Sequence, residues 1–198
     1  MSATVLSMSM SLDGFITGPN DARDNGLGDG GHRLHDWLST GDAPRGASGV
    51  PGRPSGPSGT VYDEVMSTGA VVVGRRTFDF AGGWGGDHHD GVPIFVLTRE
   101  EPAGERWPNV SYVSDVTTAM ACAKDAAGDE NVLVHGARTA QLALAAGVLD
   151  EVEVHLVPVL LGDGRRLFDY LGSDHIELDL TRVIDAPGVT HLRYRVHR

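Results

Sequence analysis

Three segments of the chain place arginine and threonine directly after an apolar run: VVVGRRTF, VLTRE and LVHGARTAQ. Guanidinium groups and the free N–H groups at the start of a helix bind anions, above all phosphate. If the three turns lie at one edge of a sheet, they predict a single site for a phosphate-rich ligand such as a dinucleotide. Taken singly, each arginine is equally explained as a solvated cap of a strand end. The turn residues are Gly74, Arg75, Arg76 and Thr77, then Thr98 and Arg99, and finally Gly136, Ala137, Arg138 and Thr139.

Other motifs argue against competing chemistries. The letters G-x-G-x-x-G occur from Gly26 to Gly31, but a polar stretch precedes them, whereas a dinucleotide-binding motif of this kind follows a strand. His88 and His89 with Asp90 lack a third ligand at a suitable spacing, so we predict a solvated loop there and no metal site. A serine-hydrolase elbow and a P-loop lysine motif are both missing from the sequence.

Composition limits the partners and the compartment. The 198 residues are 40% hydrophobic, enough for one sizeable core, and the net charge of −11 disfavours nucleic acid and anionic membranes as partners. A small molecule is the expected partner. The sequence has no apolar run near the roughly 18 residues of a membrane span and no signal-peptide pattern, which predicts a cytoplasmic protein. The single cysteine, Cys122, lies among alanines and is expected to be a small packed side chain.

The elements that must position the turns alternate along the chain. A first strand is predicted over Thr4 to Met10 and a short helix over Arg33 to Leu38, followed by a Gly/Pro/Ser-rich internal loop over 41–59. From Val61 onwards helices and strands alternate, and the chain ends in an antiparallel hairpin around DAPG. This order predicts one α/β domain over residues 1–198, with three layers and a mixed sheet.

Five motifs in this order resemble the dihydrofolate-reductase-like superfamily: MSLDG, VVVGRRTFD, PIFVLTRE, VHGARTAQ and LVPVLLGDGRRLFD. Within it, they are most similar to the branch of the reductase domain of the bifunctional riboflavin-biosynthesis deaminase-reductase. The resemblance covers nearly the whole chain. It implies a mixed, mostly parallel sheet of about eight strands with helices on both faces, NADPH as hydride donor, and frequent homodimers.

The resemblance also assigns roles to the three turns. It places the first turn at the adenosine phosphates, Thr98 and Arg99 near the 2′-phosphate, and the third turn at the pyrophosphate. Paired arginines beside a ribose are what selects NADP over NAD, because an extra phosphate must be neutralised. Because neighbouring residues at a helix start diverge by about 100°, we expect only one of Arg75 and Arg76 to contact the cofactor.

The substrate side has four candidates. The resemblance places Asp13 of SLDG at the active site, although it is equally explained as a cap of the turn with Gly14. Asp36 corresponds in position to the acid with which dihydrofolate reductases recognise the pterin, and its alternative is a solvated helix face. His135 is either a substrate contact or a hydrogen-bonded strand-end histidine. Trp84 of GGWGG either stacks on a planar substrate from a flexible lid or covers the edge of the core.

The chain departs from the family pattern at His135 and Ala137. Riboflavin-type reductases usually carry a glutamate and two glycines where this chain has His135, Gly136 and Ala137. The expected function is therefore an NADPH-dependent reductase of a small heterocyclic or imine/carbonyl substrate, resembling 5-amino-6-(5-phosphoribosylamino)uracil reductase or dihydrofolate reductase. The alternative is a non-catalytic NADPH-binding or sensing protein that kept the cofactor site.

Overall fold

A computed structural model describes residues 2–39, 52–100 and 107–197 of the chain. It contains ten strands, four α-helices and two 3₁₀ helices in these ranges. The strands are β1 (Thr4–Ser11), β2 (Phe15–Thr17), β3 (Ala70–Gly74), β4 (Ile94–Leu97), β5 (Val110–Val113), β6 (Val132–His135), β7 (Glu151–Val157), β8 (Arg165–Arg166), β9 (Leu178–Ala186) and β10 (Val189–Val196). The α-helices are α1 (Pro57–Met66), α2 (Arg75–Phe80), α3 (Val116–Ala127) and α4 (Ala137–Ala145), and the 3₁₀ helices are Gly31–Ser39 and Gly82–Gly86.

Eight of the strands form one sheet in the order β5-β4-β3-β6-β1-β7-β10-β9. The six strands from β5 to β7 run parallel, and β10 and β9 form the antiparallel end of the sheet. This arrangement confirms the predicted mostly parallel sheet with a C-terminal hairpin. Because the six strands are parallel, their carboxyl ends meet at one edge, which is where open α/β sheets bind ligands.

The interior of the sheet explains its valine-rich strands. Val71, Val72 and Val73 of β3 are all fully buried, because both faces of this strand are covered. Val72 belongs to the core cluster that contains α3 and α4 residues, whereas Val71 and Val73 pack with Phe78 of α2 on the other face. Burial of each such side chain contributes about 1.5–3 kcal/mol. The predicted layers of helices on both faces are therefore present.

Several boundaries differ from the sequence predictions, each for a local reason. Helix α1 begins at Pro57, inside the segment predicted as a loop, because proline suits the first position of a helix. The part of that predicted loop over 41–51 lies outside the described residues. Strand β7 ends at Val157, since Pro158 has no N–H for the ladder.

The small sheet of β2 and β8 was absent from the sequence predictions. It joins the segment after β1 to the loop after β7 by pairing Phe15 with Arg166 and Thr17 with Arg165. The guanidinium of Arg166 also lies 4.5 Å from the centre of the Phe15 ring. Two short segments distant in sequence are thereby held beside the carboxyl end of the sheet. None of the helices in the described ranges is long and apolar enough to span a membrane.

Candidate functional site

A cavity of about 1000 Å³ lies at the carboxyl edge of the parallel strands. The turns after β3, β4 and β6, which the sequence singled out, all contribute to its wall, together with residues after β5. The neighbouring positions of these strands in the sheet bring the turns together. The predicted residues found in the wall are Gly74, Arg75, Arg76, Thr77, Thr98, Arg99, Gly136, Ala137, Arg138, Thr139, His135 and Trp84.

The turns after β3 and β6 fit against each other through glycine and threonine. A Cβ atom at Gly136 would lie 2.7 Å from Oγ1 of Thr77, and one at Gly74 would lie 2.9 Å from Oγ1 of Thr139. Both distances are shorter than real Cβ contacts, so each turn leaves space only for a glycine opposite. Gly136 also has φ of +93°, which side chains rarely adopt. The two backbones can therefore approach a ligand closely.

Thr139 carries an unsatisfied hydroxyl in this wall. The residue is 1% exposed, and its Oγ1 has no hydrogen-bond partner within the described part of the chain. A buried polar atom without a partner costs about 1–3 kcal/mol, so such atoms usually meet a ligand or water. Thr139 lies in the first turn of α4, whose free N–H groups favour an anion. A phosphate oxygen is a suitable acceptor for this hydroxyl.

Two of the four predicted arginines are already paired with carboxylates. The Arg75 Nε lies 2.8 Å from Asp79 of the same helix, and the Arg76 Nε lies 2.9 Å from Asp21. Arg165 contacts the same Asp21 carboxylate at 3.3 Å. Burial raises the pKa of Asp21, but the hydrogen bond from Arg76 and the charge of Arg165 outweigh it and lower that pKa overall. Arg75 and Arg76 are thus held by carboxylates, although each carboxylate also contacts a second arginine, Arg165 at Asp21 and Arg23 at Asp79.

The other two arginines have no carboxylate partner in the described ranges. Arg99 and Arg138 are exposed and line the cavity, and neither forms an ion pair with any residue that the structure describes. The Thr98 hydroxyl beside Arg99 donates to the carbonyl of Glu100 at 2.9 Å, which fixes the turn after β4. The sequence did not distinguish these arginines from Arg75, because the pairing depends on a neighbouring carboxylate.

Trp84 lies between the core and the cavity. Its ring packs edge to face on Phe78 at 6.0 Å and on His88 at 4.7 Å, and it lies 6.3 Å from the His135 ring. All five residues of GGWGG have positive φ, including Trp84 at +49°, so glycines flank the tryptophan where the backbone turns left-handed. The structure combines the two predicted alternatives, since this side chain covers the core edge and also lines the cavity.

A set of histidines forms the wall beyond Trp84. His135 Nδ1 lies 2.9 Å from the carbonyl oxygen of Ser7, and His155 Nε2 lies 2.9 Å from the hydroxyl of the same serine. The Trp37 ring packs on His155 at 4.9 Å. Burial lowers the pKa of His135 to about 4 and that of His155 well below 6.5. Both imidazoles are therefore neutral at pH 7.

His35 is a further histidine of this wall, and one of its ring nitrogens has no hydrogen-bond partner among the described residues. It lies in the 3₁₀ helix Gly31–Ser39 and lines the cavity, and its Nδ1 is buried without a partner among the described residues. Burial lowers the pKa of His35 to about 4. The sequence analysis missed His35, His155 and Trp37. The available signal was the HRLHDWL segment, where histidine and tryptophan fall two residues apart next to the predicted Asp36.

The structure does not bring Asp13 into the cavity wall. Its carboxylate accepts hydrogen bonds from the Ser11 hydroxyl at 2.5 Å and from the N–H groups of Leu161 at 3.1 Å and Gly162 at 2.7 Å. The Ser11 hydrogen bond, helped by these N–H groups, lowers the pKa of Asp13 to about 2. This carboxylate holds the loop after β7 against the end of β1, a role that neither the active-site nor the Gly14-turn expectation included.

Asp36 also lies outside the cavity wall. It is exposed and lies 3.3 Å from Arg33 of the same 3₁₀ helix, which corresponds to the solvated-face alternative. Within the described ranges, the carboxylates in the wall are Asp21, which pairs with arginines, and Asp115, which accepts from the Thr118 N–H at 2.7 Å and caps α3. The hydrogen bonds to Thr118 lower the pKa of Asp115. Both are acceptors and not proton donors at neutral pH.

The fold and the cavity place the chain among α/β proteins that bind ligands at the carboxyl edge of a parallel sheet. The chain matches the model of the RibD C-terminal domain over residues 87–192, more than half of its length, and it belongs to that family. A comparison with curated proteins found no match.

Solved structures of this family share the fold. A protein assigned to riboflavin biosynthesis from Shewanella sp. PV-4 is 23% identical, with a TM-score of 0.68 over 99% of both chains. A pyrimidine reductase-like protein from Corynebacterium diphtheriae is 15% identical, with a TM-score of 0.61 over 100% of this chain and 92% of its own. RibD from Acinetobacter baumannii is 15% identical with a TM-score of 0.62, and the match spans 100% of this chain and 59% of that one.

Proposed function

We propose that this protein is an NADPH-dependent reductase that transfers hydride to a small heterocyclic or imine/carbonyl substrate. The observation that carries the proposal is that the turns after β3, β4 and β6 meet in one cavity, which continues to a wall of neutral histidines and tryptophans. Membership of the RibD C-terminal domain family supports the same class of reaction.

The residues present fit the proposed cofactor at its phosphate groups. The unsatisfied Thr139 hydroxyl and the free N–H groups of α4 suit the pyrophosphate. Because Gly74 and Gly136 carry no side chains, the backbone of both turns can contact it directly. Arg99 would neutralise the 2′-phosphate that distinguishes NADPH from NADH, and Arg138 would add positive charge beside the pyrophosphate. When bound, NADPH would supply the hydride, a step that requires orientation and no protein nucleophile.

The chain's own contribution to the reaction would be a wall of neutral imidazoles and indole rings. His135 donates its Nδ1–H to the Ser7 carbonyl, so its neutral ring keeps Nε2 as an acceptor that can orient a substrate N–H group. Trp84 and Trp37 provide flat apolar surfaces beside the histidines. Because the carboxylates in the described wall are ionised or capped, the proton for the reduced atom would come from solvent or through an imidazole N–H.

The position of Asp13 and Asp36 favours a second candidate, a non-catalytic NADPH-binding or sensing protein. Both predicted acids lie outside the cavity wall, so the carboxylates that the family resemblance would use for chemistry are not at the cavity. Such a protein would bind NADPH through the same turns without oxidising it.

Consumption of NADPH distinguishes the two candidates. We expect that a panel of pterins, flavin precursors, quinones and imines, offered with NADPH, contains at least one compound that is reduced in proportion to the NADPH consumed. Tight NADPH binding with no consumption across the panel would favour the sensing protein. The Trp84→Ala variant serves as a comparison, because it removes a wall side chain without touching the phosphate turns.

A further inference from the structure

Four buried side chains form a hydrogen-bonded chain that starts at the cavity. The Ser7 hydroxyl lies 2.9 Å from His155 Nε2, and His155 Nδ1 lies 2.9 Å from Nδ1 of His191. His191 Nε2 lies 3.1 Å from the hydroxyl of Ser58. His155 and His191 are directly opposite each other on β7 and β10, so their side chains leave the same face of the sheet. The neighbouring strands β1, β7 and β10 and the first turn of α1 thus supply one continuous path.

The two ends of this path lie in different surroundings. Ser7 and His155 are each 4% exposed, and both line the cavity. His191 and Ser58 lie outside the cavity wall. Ser58 directly follows three exposed residues, 55–57, at the start of α1. The path therefore connects the cavity with the protein surface beside α1.

The two imidazoles of the path are held in place and neutral. The Trp37 ring lies 4.9 Å from that of His155 and 5.0 Å from that of His191, and its Nε1 donates to the Ser9 hydroxyl at 3.0 Å. Burial lowers the pKa of His155 well below 6.5, and burial together with the charge of Arg182 lowers the pKa of His191 to about 4. At pH 7 each ring therefore carries a single proton on one of its two nitrogens.

The hydroxyl groups at both ends allow two arrangements of the protons. A hydroxyl both donates and accepts, whereas two facing Nδ1 atoms require one protonated and one unprotonated nitrogen. In the outward arrangement, Ser7 donates to His155, His155 donates to His191, and His191 donates to Ser58. In the inward arrangement every hydrogen bond is reversed, and the Ser7 O–H is available to the cavity.

A second pair of histidines beside the cavity has only one arrangement. His88 Nδ1 lies 2.7 Å from Nδ1 of His89, whose Nε2 lies 2.9 Å from the Thr68 carbonyl oxygen. The Thr68 hydroxyl, 3.3 Å from the same nitrogen, donates to the Val65 carbonyl. A carbonyl only accepts, so a neutral His89 carries its proton on Nε2, and His88 must donate through Nδ1. The reversible direction is thus a property of the path that ends in two hydroxyls.

We propose that Ser7, His155, His191 and Ser58 form a reversible proton relay that delivers the proton of the reduction from the surface to the cavity. The inference rests on the proposed function, because hydride addition to a C=N or C=O bond leaves a nitrogen or oxygen that takes up one proton. Ser7 is the group that meets the substrate, and the other three residues act through it.

The protons balance when the relay passes from the inward to the outward arrangement. The Ser7 O–H bond breaks as its proton moves to the substrate, and the proton on His155 Nε2 replaces it. The proton on His191 Nδ1 moves to His155 Nδ1, and the Ser58 hydroxyl proton moves to His191 Nε2. Water outside returns a proton to Ser58, so no side chain is left charged. Exchange with water in the open cavity restores the inward arrangement after product release.

Nuclear magnetic resonance of the full chain, with histidine labelled at its ring nitrogens, tests the relay without a substrate. A nitrogen that exchanges between protonated and unprotonated states gives an intermediate chemical shift or two exchanging signals. We expect this behaviour for His155 and His191 and fixed tautomers for His88 and His89, with signals assigned from the variants His191→Gln and His89→Gln. Fixed tautomers at His155 and His191 would overturn the relay.

Turnover of the compound that is reduced fastest in the panel tests the delivery of the proton. His191→Gln keeps a hydrogen-bonding side chain, but an amide does not pass a proton on, and we expect kcat to fall at least about ten-fold with unchanged NADPH affinity. Imidazole buffer at constant pH, which can donate in the open cavity directly, should restore part of this kcat and leave that of the unsubstituted protein unchanged. His89→Gln is the matched control, because His89 is a buried member of the fixed pair and lies outside the cavity wall, and it should keep the original kcat.

The outcomes separate the relay from the proposed function. An unchanged kcat in His191→Gln would overturn the relay, and so would a loss that imidazole does not restore, because altered packing would then explain it. Failure of every compound in the panel to consume NADPH with the unsubstituted protein would instead contradict the proposed function. The resonance measurement would in that case still decide between a reversible and a fixed path.

Discussion

The arginines at the cavity differ in whether a carboxylate already pairs with them. Arg75 and Arg76 are held by Asp79 and Asp21, whereas Arg99 and Arg138 project from the turns without an ion pair in the described ranges. The sequence predicted all four from their place in the turns. The i, i+4 spacing of Arg75 and Asp79 offered a signal for the first pair, whereas the second could not be predicted, because Asp21 is 55 residues away from Arg76 in sequence.

Replacing Arg99 with alanine should weaken NADPH binding by about ten-fold or more and NADH binding by much less. A charge-assisted hydrogen bond contributes about 1.5–3 kcal/mol, and 1.4 kcal/mol corresponds to ten-fold in affinity. Arg76→Ala should have a smaller effect, because the Arg76 guanidinium is already held by a hydrogen bond to Asp21. Arg33→Ala, which removes an arginine outside the cavity wall, is the control. An unchanged preference in Arg99→Ala would place the 2′-phosphate elsewhere.

The buried histidines predict how stability depends on pH. Burial lowers the pKa of His35, His135 and His191 from 6.5 to about 4. Between these values the unfolded chain binds more protons, so the stability is complete above about pH 6.5 and is lost as the pH falls towards 4. From pH 6.5 to 5 we expect a loss of about 1.6 kcal/mol for each histidine.

Chemical denaturation at a series of pH values measures this directly. The slope of the unfolding free energy between pH 6.5 and 4 should correspond to uptake of about two or more protons on unfolding. Carboxylates with a lowered pKa, such as Asp13 at about 2, add proton uptake in the same direction below about pH 5, so the part between pH 6.5 and 5 reports the histidines. A flat profile would mean that the histidines are accessible to solvent.

Among the elements, the glycine turns are where sequence and geometry agree most closely. The apolar runs followed by glycine, arginine and threonine predicted that the turns after β3 and β6 lie at one edge of the sheet, and the two turns do meet through Gly74, Thr77, Gly136 and Thr139. Local signals sufficed because each turn is formed by neighbouring residues. The start of α1 at Pro57 was missed even though proline favours that position, because the surrounding Gly/Pro/Ser composition is typical of a loop.

The substitution Gly136→Ala should be destabilising and should weaken NADPH binding. Its Cβ would lie 2.7 Å from Thr77 Oγ1, in addition to the strain of a positive φ. Gly147→Ala is the matched control, since Gly147 has φ of +65° but open space around it. We expect Gly136→Ala to lose at least about 1 kcal/mol more in unfolding free energy than the control. Equal losses and unchanged NADPH affinity would contradict the interlocked turns.

At the scale of the whole molecule, the order of strands creates the cavity. β1 lies between β6 and β7, which places Ser7, His135 and His155 side by side although they are far apart in sequence. The alternation of helices and strands predicted the layers and the parallel sheet. It could not predict the histidine wall, because that wall depends on which strands are neighbours and on a 3₁₀ helix packed over them.

A ligand that binds only the folded protein must stabilise it. We expect NADPH at about 100 times its dissociation constant to add about 2.7 kcal/mol to the unfolding free energy and to raise the melting temperature accordingly. The Arg99→Ala variant at the same NADPH concentration should show a smaller rise. Equal stabilisation of both proteins would separate NADPH binding from the turn after β4.

The central claim is that the three turns form one NADPH site, and a fluorescence titration of the purified protein with NADPH and NADH tests it most directly. Arg99, which has no ion pair in the described ranges and lines the cavity, predicts that NADPH binds about ten-fold more tightly than NADH or better, with the difference shrinking at high salt. Equal binding of the two nucleotides, or binding of neither, would contradict the account.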